Sequence, residues 1–408
     1  MSELPSRLFW FNPDCELAVA DGHMYYTPPK NIARMERDLA YLPVYYAGVS
    51  DAVLVEDLPP GRFLEEEENL WLRRLPRLIL REETDSTSFC LFTPWGWSPR
   101  AVAVAERMGT ESREWKAEYR DLYSRMTGVG VLKKLHEVSG FDSGDSLTTL
   151  WETSVVPMRT TSLKEVISVV ESGPSVIKLP WSSSGKGVRM IETWNLKEEE
   201  WVSGGIRRQG YVTVEPFLDK VEDFAMEFYM ERGRAVFRGL SYFRTGNSGE
   251  YGWNFLGPQQ RIYDKLSACI SREDLMDLSR RLEYVLTGIY GSAYEGYVGV
   301  DMMIYRDGKG GFRLHPCVEV NLRYTMGVLA LYLSERNLEE GSEGKFFIRF
   351  FKNSSLLSAF DSSMKERYPL HMCGGRIKDG YKALNPVDGA TCFLAYIVVK
   401  PACFNALF

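Results

Sequence analysis

Two apolar runs joined by a polar turn constrain this chain more than any other stretch: Gly296-Tyr-Val-Gly-Val-Asp-Met-Met-Ile304 and Phe312-Arg-Leu-His-Pro-Cys-Val-Glu-Val-Asn-Leu-Arg323. The connection Arg306-Asp-Gly-Lys-Gly-Gly311 has turn composition, so the runs read as two paired strands. Strand side chains repeat every second residue, which puts Glu319 and Asn321 on one face, with Asp301 on the neighbouring strand. A solvent-facing sheet edge could carry the same residues without a ligand. Among Val, Met and Ile, however, an acidic pair is costly unless something offsets its charge. Two carboxylates and an amide oxygen are hard donors of the kind that hold magnesium, whose coordination is commonly completed by substrate phosphates and water.

A second stretch, Ser175-Val-Ile-Lys-Leu-Pro-Trp-Ser-Ser-Ser-Gly-Lys-Gly-Val188, ends a short strand on Lys178 and continues into a Ser/Gly loop. Backbone N–H groups of such a loop can converge on phosphate oxygens, Gly185 and Gly187 allow close approach, and Lys178 and Lys186 add positive charge. An ordinary surface turn has the same composition. The surrounding pattern extends the picture. A helix is expected over Ser162–Ser172, strands over Ser175–Leu179 and Val188–Glu192, a helix over Leu196–Arg208 and a strand over Tyr211–Glu215. Phe224–Met230 and Arg234–Ser241, joined by Glu231-Arg-Gly233, read as a hairpin, and Ser271-Arg-Glu-Asp274 has the spacing of a helix cap before a long helix to about Tyr290.

Nearer the N-terminus, Arg7–Phe11 and Asp51–Val55 read as buried strands among helix-compatible segments, which favours an α/β domain. Asn12-Pro-Asp-Cys-Glu16 and Thr93-Pro-Trp-Gly-Trp-Ser98 follow apolar runs, and loops at strand C-terminal ends are where open α/β sheets bind ligands. The segment Arg244–Asn254, rich in Gly, Tyr and Asn, is expected to be a substrate-covering loop.

With 408 residues, 45% hydrophobic and 25% charged, the chain has the composition of a globular protein of two or three domains. A net charge of -6 argues against a general electrostatic grip on nucleic acid. Neither a leader pattern nor an apolar run of membrane-spanning length is present, so a cytoplasmic protein without a membrane partner is expected. Seven scattered cysteines without a C-x-x-C pair are expected to be reduced, mostly buried thiols. Four histidines leave little material for a zinc site, and His315-Pro-Cys317 reads as strand packing.

Four ordered elements, Val176-Ile-Lys-Leu-Pro180 with its Ser/Gly loop, Val214-Glu-Pro-Phe-Leu218, Gly299-Val-Asp301 and Glu319-Val-Asn-Leu-Arg323, give the chain a resemblance to the ATP-grasp superfamily over roughly residues 124–331. The resemblance implies an ATP-grasp fold of the α/β (α+β) class: an N-terminal Rossmann-like α/β domain over 1–123, an ATP-grasp domain over 124–345 whose nucleotide cleft lies between two α+β subdomains, and a C-terminal segment over 346–408 packing on that core. It implies that Lys178 contacts the α and β phosphates of ATP, that the loop of Ser182, Ser183, Ser184, Gly185, Lys186 and Gly187 covers them, and that Glu215, Pro216, Phe217 and Leu218 form the hinge whose backbone reads adenine. Glu222 or Asp223 would hold the ribose, and the spacing leaves the choice open. Asp301, Glu319 and Asn321 match the magnesium (Mg2+) ligands, and Arg323 an arginine on phosphate or the reacting carboxyl group. Such families often open the block with a lysine, where this chain offers Arg125, and arginine can make two directed phosphate contacts.

The activity implied is ligation: ATP activates a small-molecule carboxylate as an acyl phosphate, an amine attacks it, and ADP and phosphate leave. A thiol ligase, a phosphotransferase and a non-catalytic nucleotide-sensing module use the same nucleotide machinery and stay open as alternatives. The identity of acid and acceptor, and the oligomeric state, are not encoded in any motif.

Overall fold

The structure, a computed structural model, describes residues 7–61, 63–82, 91–139, 155–182, 187–246 and 250–401. It forms two compact units, one of residues 1–115, 252–259 and 325–408, the other of residues 116–251 and 260–324. The architecture is α+β, as the resemblance implies.

In the first unit, β1 (Arg7–Trp10), β2 (Ala52–Val55), β3 (Arg77–Leu80) and β4 (Leu91–Pro94) form a parallel sheet in the order β3-β2-β1-β4. The short apolar strands fit that role, because parallel sheets are covered on both faces. Leu8, Trp10, Leu54, Ile79 and Phe92 form a core with Ala101, Val104 and Met108 from the region of the helix Pro99–Arg107. A second layer of the unit is antiparallel. It contains β11 (Tyr251–Leu256), β14 (Ser342–Phe350), β15 (His371–Cys373), β16 (Arg376–Ala383) and β17 (Phe393–Pro401) in the order β11-β14-β17-β16-β15. The helix Ser354–Arg367 is capped by Asn353, and its Leu357 joins the core formed by Phe351, Tyr381, Leu394 and Tyr396.

The second unit holds two antiparallel sheets. The smaller is ordered β5-β8-β6-β7, from β5 (Met158–Thr160), β6 (Ser175–Lys178), β7 (Val188–Ile191) and β8 (Val212–Pro216). Helices Leu163–Ser172 and Leu196–Gln209 supply Val166, Val170 and Val202 to its core. The larger runs β13-β12-β9-β10, from β9 (Asp219–Glu231), β10 (Arg234–Thr245), β12 (Gly296–Arg306) and β13 (Phe312–Asn321). The hairpin read at Glu231–Gly233 is present. Arg232 and Gly233 take φ of 49° and 77°, the left-handed pair that a two-residue turn between right-twisted strands needs.

Alternation sorts the larger sheet into two chemically different faces. Phe224, Met226, Phe228, Val298, Val300 and Met302 lie on a fully buried face, and the long helix Arg272–Tyr290 packs on β9 and β10. Residues one step away carry the acids. The expected loop over Arg244–Asn254 is corrected: β10 runs to Thr245 and β11 starts at Tyr251, so most of the segment is strand. Its aromatic and β-branched residues (Tyr251, Trp253 and Thr245) pack well on a pleated surface and outweigh the local glycines.

Five cysteines among the described residues are free thiols, three of them buried. No helix among the described residues is long and apolar enough to cross a membrane.

Candidate functional site

Register decides which side chains meet. Asp301 stands directly opposite Glu319 on β13 and Ala225 on β9, while Gly299 stands opposite Asn321 and Glu227. Directly opposed residues of an antiparallel pair point to the same face. Asp301, Glu319, Asn321, Glu227 and Asp223 therefore share the acidic face; the alternation of β13 predicts this for Glu319 and Asn321, and register adds Asp301.

Between Asp301 and Met303 the register slips. Three residues of β12, Asp301 to Met303, span five of β13, His315 to Glu319, and Pro316 sits in the slip. Proline has no N–H to give to a ladder and belongs at such irregularities. The Val318 carbonyl lies 3.5 Å from the Lys178 Nζ, so the irregular stretch of β13 faces the end of β6.

Lys178 is 5% exposed rather than open at a strand end. Its Nζ lies 2.5 Å from Glu215 Oε1, while Glu215 Oε2 is buried without a hydrogen-bond partner. Arg125 ties three elements together. Its Nε donates to the Leu179 carbonyl at 3.0 Å, Nη2 to Ser182 Oγ at 3.0 Å, and Nη1 lies 2.9 Å from Glu319 Oε2. Arg323 Nη2 donates to Asn321 Oδ1 at 2.8 Å, and Asn321 Nδ2 to Asp301 Oδ2 at 3.1 Å. Arg125, Lys178, Ser182, Glu215, Asp301, Glu319, Asn321 and Arg323 thus belong to one connected neighbourhood.

Burial, then the Glu319 and Glu227 carboxylates, push the Asp301 pKa up to about 8; Arg323 and the Asn321 bond act the other way. Glu227 is a residue that motif reading missed. It is 1% exposed and accepts from Ser241 Oγ at 3.0 Å. A signal for it existed, since Asp223 and Glu227 lie four residues apart, on one face of the strand, and Glu227 stands alone in the apolar stretch Phe224–Met230.

The two ribose candidates part company. Asp223 lies on the acidic face, tied to Lys220 at 2.6 Å and Thr245 at 2.9 Å. Glu222 points to the other face, where Tyr242, Arg244 and Lys265 lie 2.5, 3.0 and 3.1 Å from it. In the segment expected to form the hinge, Pro216 lacks an N–H and Phe217 donates its own to the Pro174 carbonyl at 2.9 Å. Pro216 and Phe217 are exposed and Leu218 half-buried. Ser183, Ser184, Gly185 and Lys186 lie outside the described residues. At the loop's end, a Cβ on Gly187 would fall 2.3 Å from Ser182, so only glycine fits there.

A magnesium ion fits the donor set, although no three His, Cys, Asp or Glu side chains among the described residues close on one point. Asp301, Glu319 and the Asn321 amide oxygen are all hard donors, and the Asp301 pKa is raised by burial first and then by the Glu319 and Glu227 charges, which a cation would offset. Arg125 and Arg323 at present occupy the Glu319 and Asn321 oxygens.

His315, read as strand packing, is 1% exposed, and neither ring nitrogen has a well-formed hydrogen bond among the described residues. Burial, then the Lys178 charge, lower its pKa to about 3, while its own backbone and that of Val155 favour the charged ring slightly.

Neither a protein-family model nor any curated protein matches the sequence. Similar solved structures include N5-carboxyaminoimidazole synthetase from Staphylococcus aureus complexed with ADP, at 12% identity and TM-score 0.49 over 97% of this chain and 93% of that one. The biotin carboxylase domain of Hydrogenobacter thermophilus 2-oxoglutarate carboxylase, with MgADP, ADP and bicarbonate, matches at 11% identity and TM-score 0.48 over 98% and 87%. L-amino acid ligase from Bacillus licheniformis matches at 11% and 0.45 over 97% and 94%. These structures are ATP-grasp enzymes. At such scores the likeness is one of general chain course, and it carries no activity to this chain.

Proposed function

We propose that the chain is an ATP- and magnesium-dependent ligase that activates a small carboxylate as an acyl phosphate for attack by an amine, releasing ADP and phosphate. The observation that supports this reading best is the convergence of Arg125, Lys178 and Arg323 on an acidic face built from Asp301, Glu319 and Asn321. Phosphoryl transfer asks little covalent chemistry of a protein; it asks for alignment and for positive charge around the transferred group.

Each residue has a part in that task. Lys178, held by Glu215, presents a fixed ammonium to phosphate oxygens. Arg125 supplies a planar guanidinium suited to two phosphate contacts once Glu319 is otherwise neutralised. Arg323 orients Asn321 and stands ready for the reacting carboxyl group. The segment Glu215 to Leu218 offers backbone groups to the base, and Asp223, on the acidic face, takes the sugar hydroxyls. Asp301, Glu319 and Asn321 would hold magnesium, which would supply Lewis-acid charge to phosphate oxygens.

Hydroxylamine tests the reading, because it traps an acyl phosphate as a hydroxamate whatever the natural amine. Pools of small carboxylic acids are incubated with the protein, MgATP and hydroxylamine. Hydroxamate formed in step with ADP supports a ligase. ADP formed in step with a phosphorylated alcohol, or tight ATP binding with no ADP from any pool, contradicts it.

A further inference from the structure

The C-terminal edge of the parallel sheet in the first unit carries a cavity of about 250 Å³ that the proposed reaction does not use. Its position follows from strand order. β1 lies between β2 and β4, so successive connections turn to opposite sides of β1, and open α/β sheets bind ligands in the crevice beyond the strand ends at such a reversal. Arg81 directly follows β3. The helix Pro99–Arg107, which follows β4, lines the cavity with Arg100, Ala103, Val104 and Arg107, a spacing that defines one helix face. Met24, Tyr25 and Tyr26 make another part of the wall.

The three arginines differ in what they have left to offer. Arg100 is committed: its guanidinium lies 3.0 and 3.1 Å from the two Asp14 oxygens, 2.7 and 3.1 Å from those of Glu36, and 4.9 Å from the Trp10 ring centre. Arg81 pairs with Glu56 at 3.1 Å and lies 3.8 Å from Glu36, and among the described residues its buried Nε has no hydrogen-bond partner. Arg107 is exposed and has no ion pair or hydrogen bond among the described residues. The acids facing these groups are Asp14, Glu36 and Glu56, with Asp21 near Tyr26; burial raises the Glu36 pKa to about 7 against the pull of Arg100. Tyr25, which also lines the cavity, is 86% exposed.

We propose that the cavity binds a small compound bearing an oxyanion, a carboxylate or a phosphate, held by Arg81 and Arg107 with its apolar body against Met24 and Tyr25. Guanidinium forks match both anions in plane and can bind them through two hydrogen bonds. The proposal does not depend on the ligase reading, since nothing in it involves the second unit.

Calorimetry on the full chain, without nucleotide or magnesium, tests it with benzoate and inorganic phosphate titrated separately. Saturable binding of either probe is expected, and the probe that binds names the anion source. Arg107→Gln, an exposed change that leaves packing intact, should weaken that binding about ten-fold or more. Ala103→Leu, which fills the cavity from the same helix face, should abolish it while melting stays near wild type. No saturable binding of either probe, or wild-type affinity in both variants, overturns the proposal.

Discussion

Burial beside Glu319 and Glu227 makes Asp301 a reluctant anion, and Arg125 holds Glu319 in the meantime. If these residues hold one ion, Glu319→Gln removes a charged donor at constant volume. Turnover should fall about 100-fold or more with a larger magnesium requirement, while the melting temperature moves little. Asp301→Asn should behave similarly, and the double variant should lose less than the product of the single losses, because both serve one site. Magnesium titrations of ATP turnover decide it: unaltered metal dependence in both single variants would sink the site. His315 gives an independent pH signature. Its pKa drops from 6.5 to about 3 on folding, so the unfolded chain binds the proton more readily. Stability from this group is fully present above pH 6.5 and is lost as pH falls toward 3, by about 1.4 kcal/mol per unit in the steep range. Denaturant titrations from pH 7 to 4 should show that slope, and His315→Phe should flatten it; an unchanged slope would mean that the ring protonates as freely in the fold as outside it.

At the scale of elements, local chemistry sets boundaries that packing then uses. Ser271 caps the long helix, its Oγ accepting from the Asp274 N–H at 3.0 Å, as the spacing of Ser271 and Asp274 predicts. Ser271→Ala should cost about 1 kcal/mol in chemical denaturation, and Ser271→Asp should keep most of it. Equal losses in both would assign the effect to the hydroxyl's own packing rather than to capping. The same logic explains why the strands around the candidate site were legible: β6, β8, β12 and β13 follow short apolar runs bounded by Gly, Pro and polar turns. Arg244–Asn254 was misread because its glycines resemble a loop, whereas its aromatic residues lie in strand.

At the scale of the whole molecule, a ligand that binds only the folded protein stabilises it by mass action. ATP with magnesium at 100 times its dissociation constant should add about 2.7 kcal/mol. Hydrogen exchange should slow mainly around Lys178, Glu215, Asp301 and Glu319. Glu319→Gln should lose most of the magnesium-dependent part of this protection. Protection that is identical with and without magnesium, in both proteins, would separate nucleotide binding from the acidic face.

Periodicity and turn chemistry are local, so the sequence alone determined the shared face of Glu319 and Asn321 on β13, the hairpin at Arg232 and Gly233, the helix cap at Ser271 and the parallel α/β character of the N-terminal strands. What it could not decide is which distant groups meet. Arg125 reaches Glu319 across 194 positions, and Lys178 reaches the carbonyl of Val318 across 140. Glu227 enters the acidic face only because β9 pairs with β12 in one register, and a shift of one residue would place Glu222 there instead. Those choices belong to tertiary structure, because the burial that makes a carboxylate costly and the neighbour that offsets it come from segments with no local relation to each other.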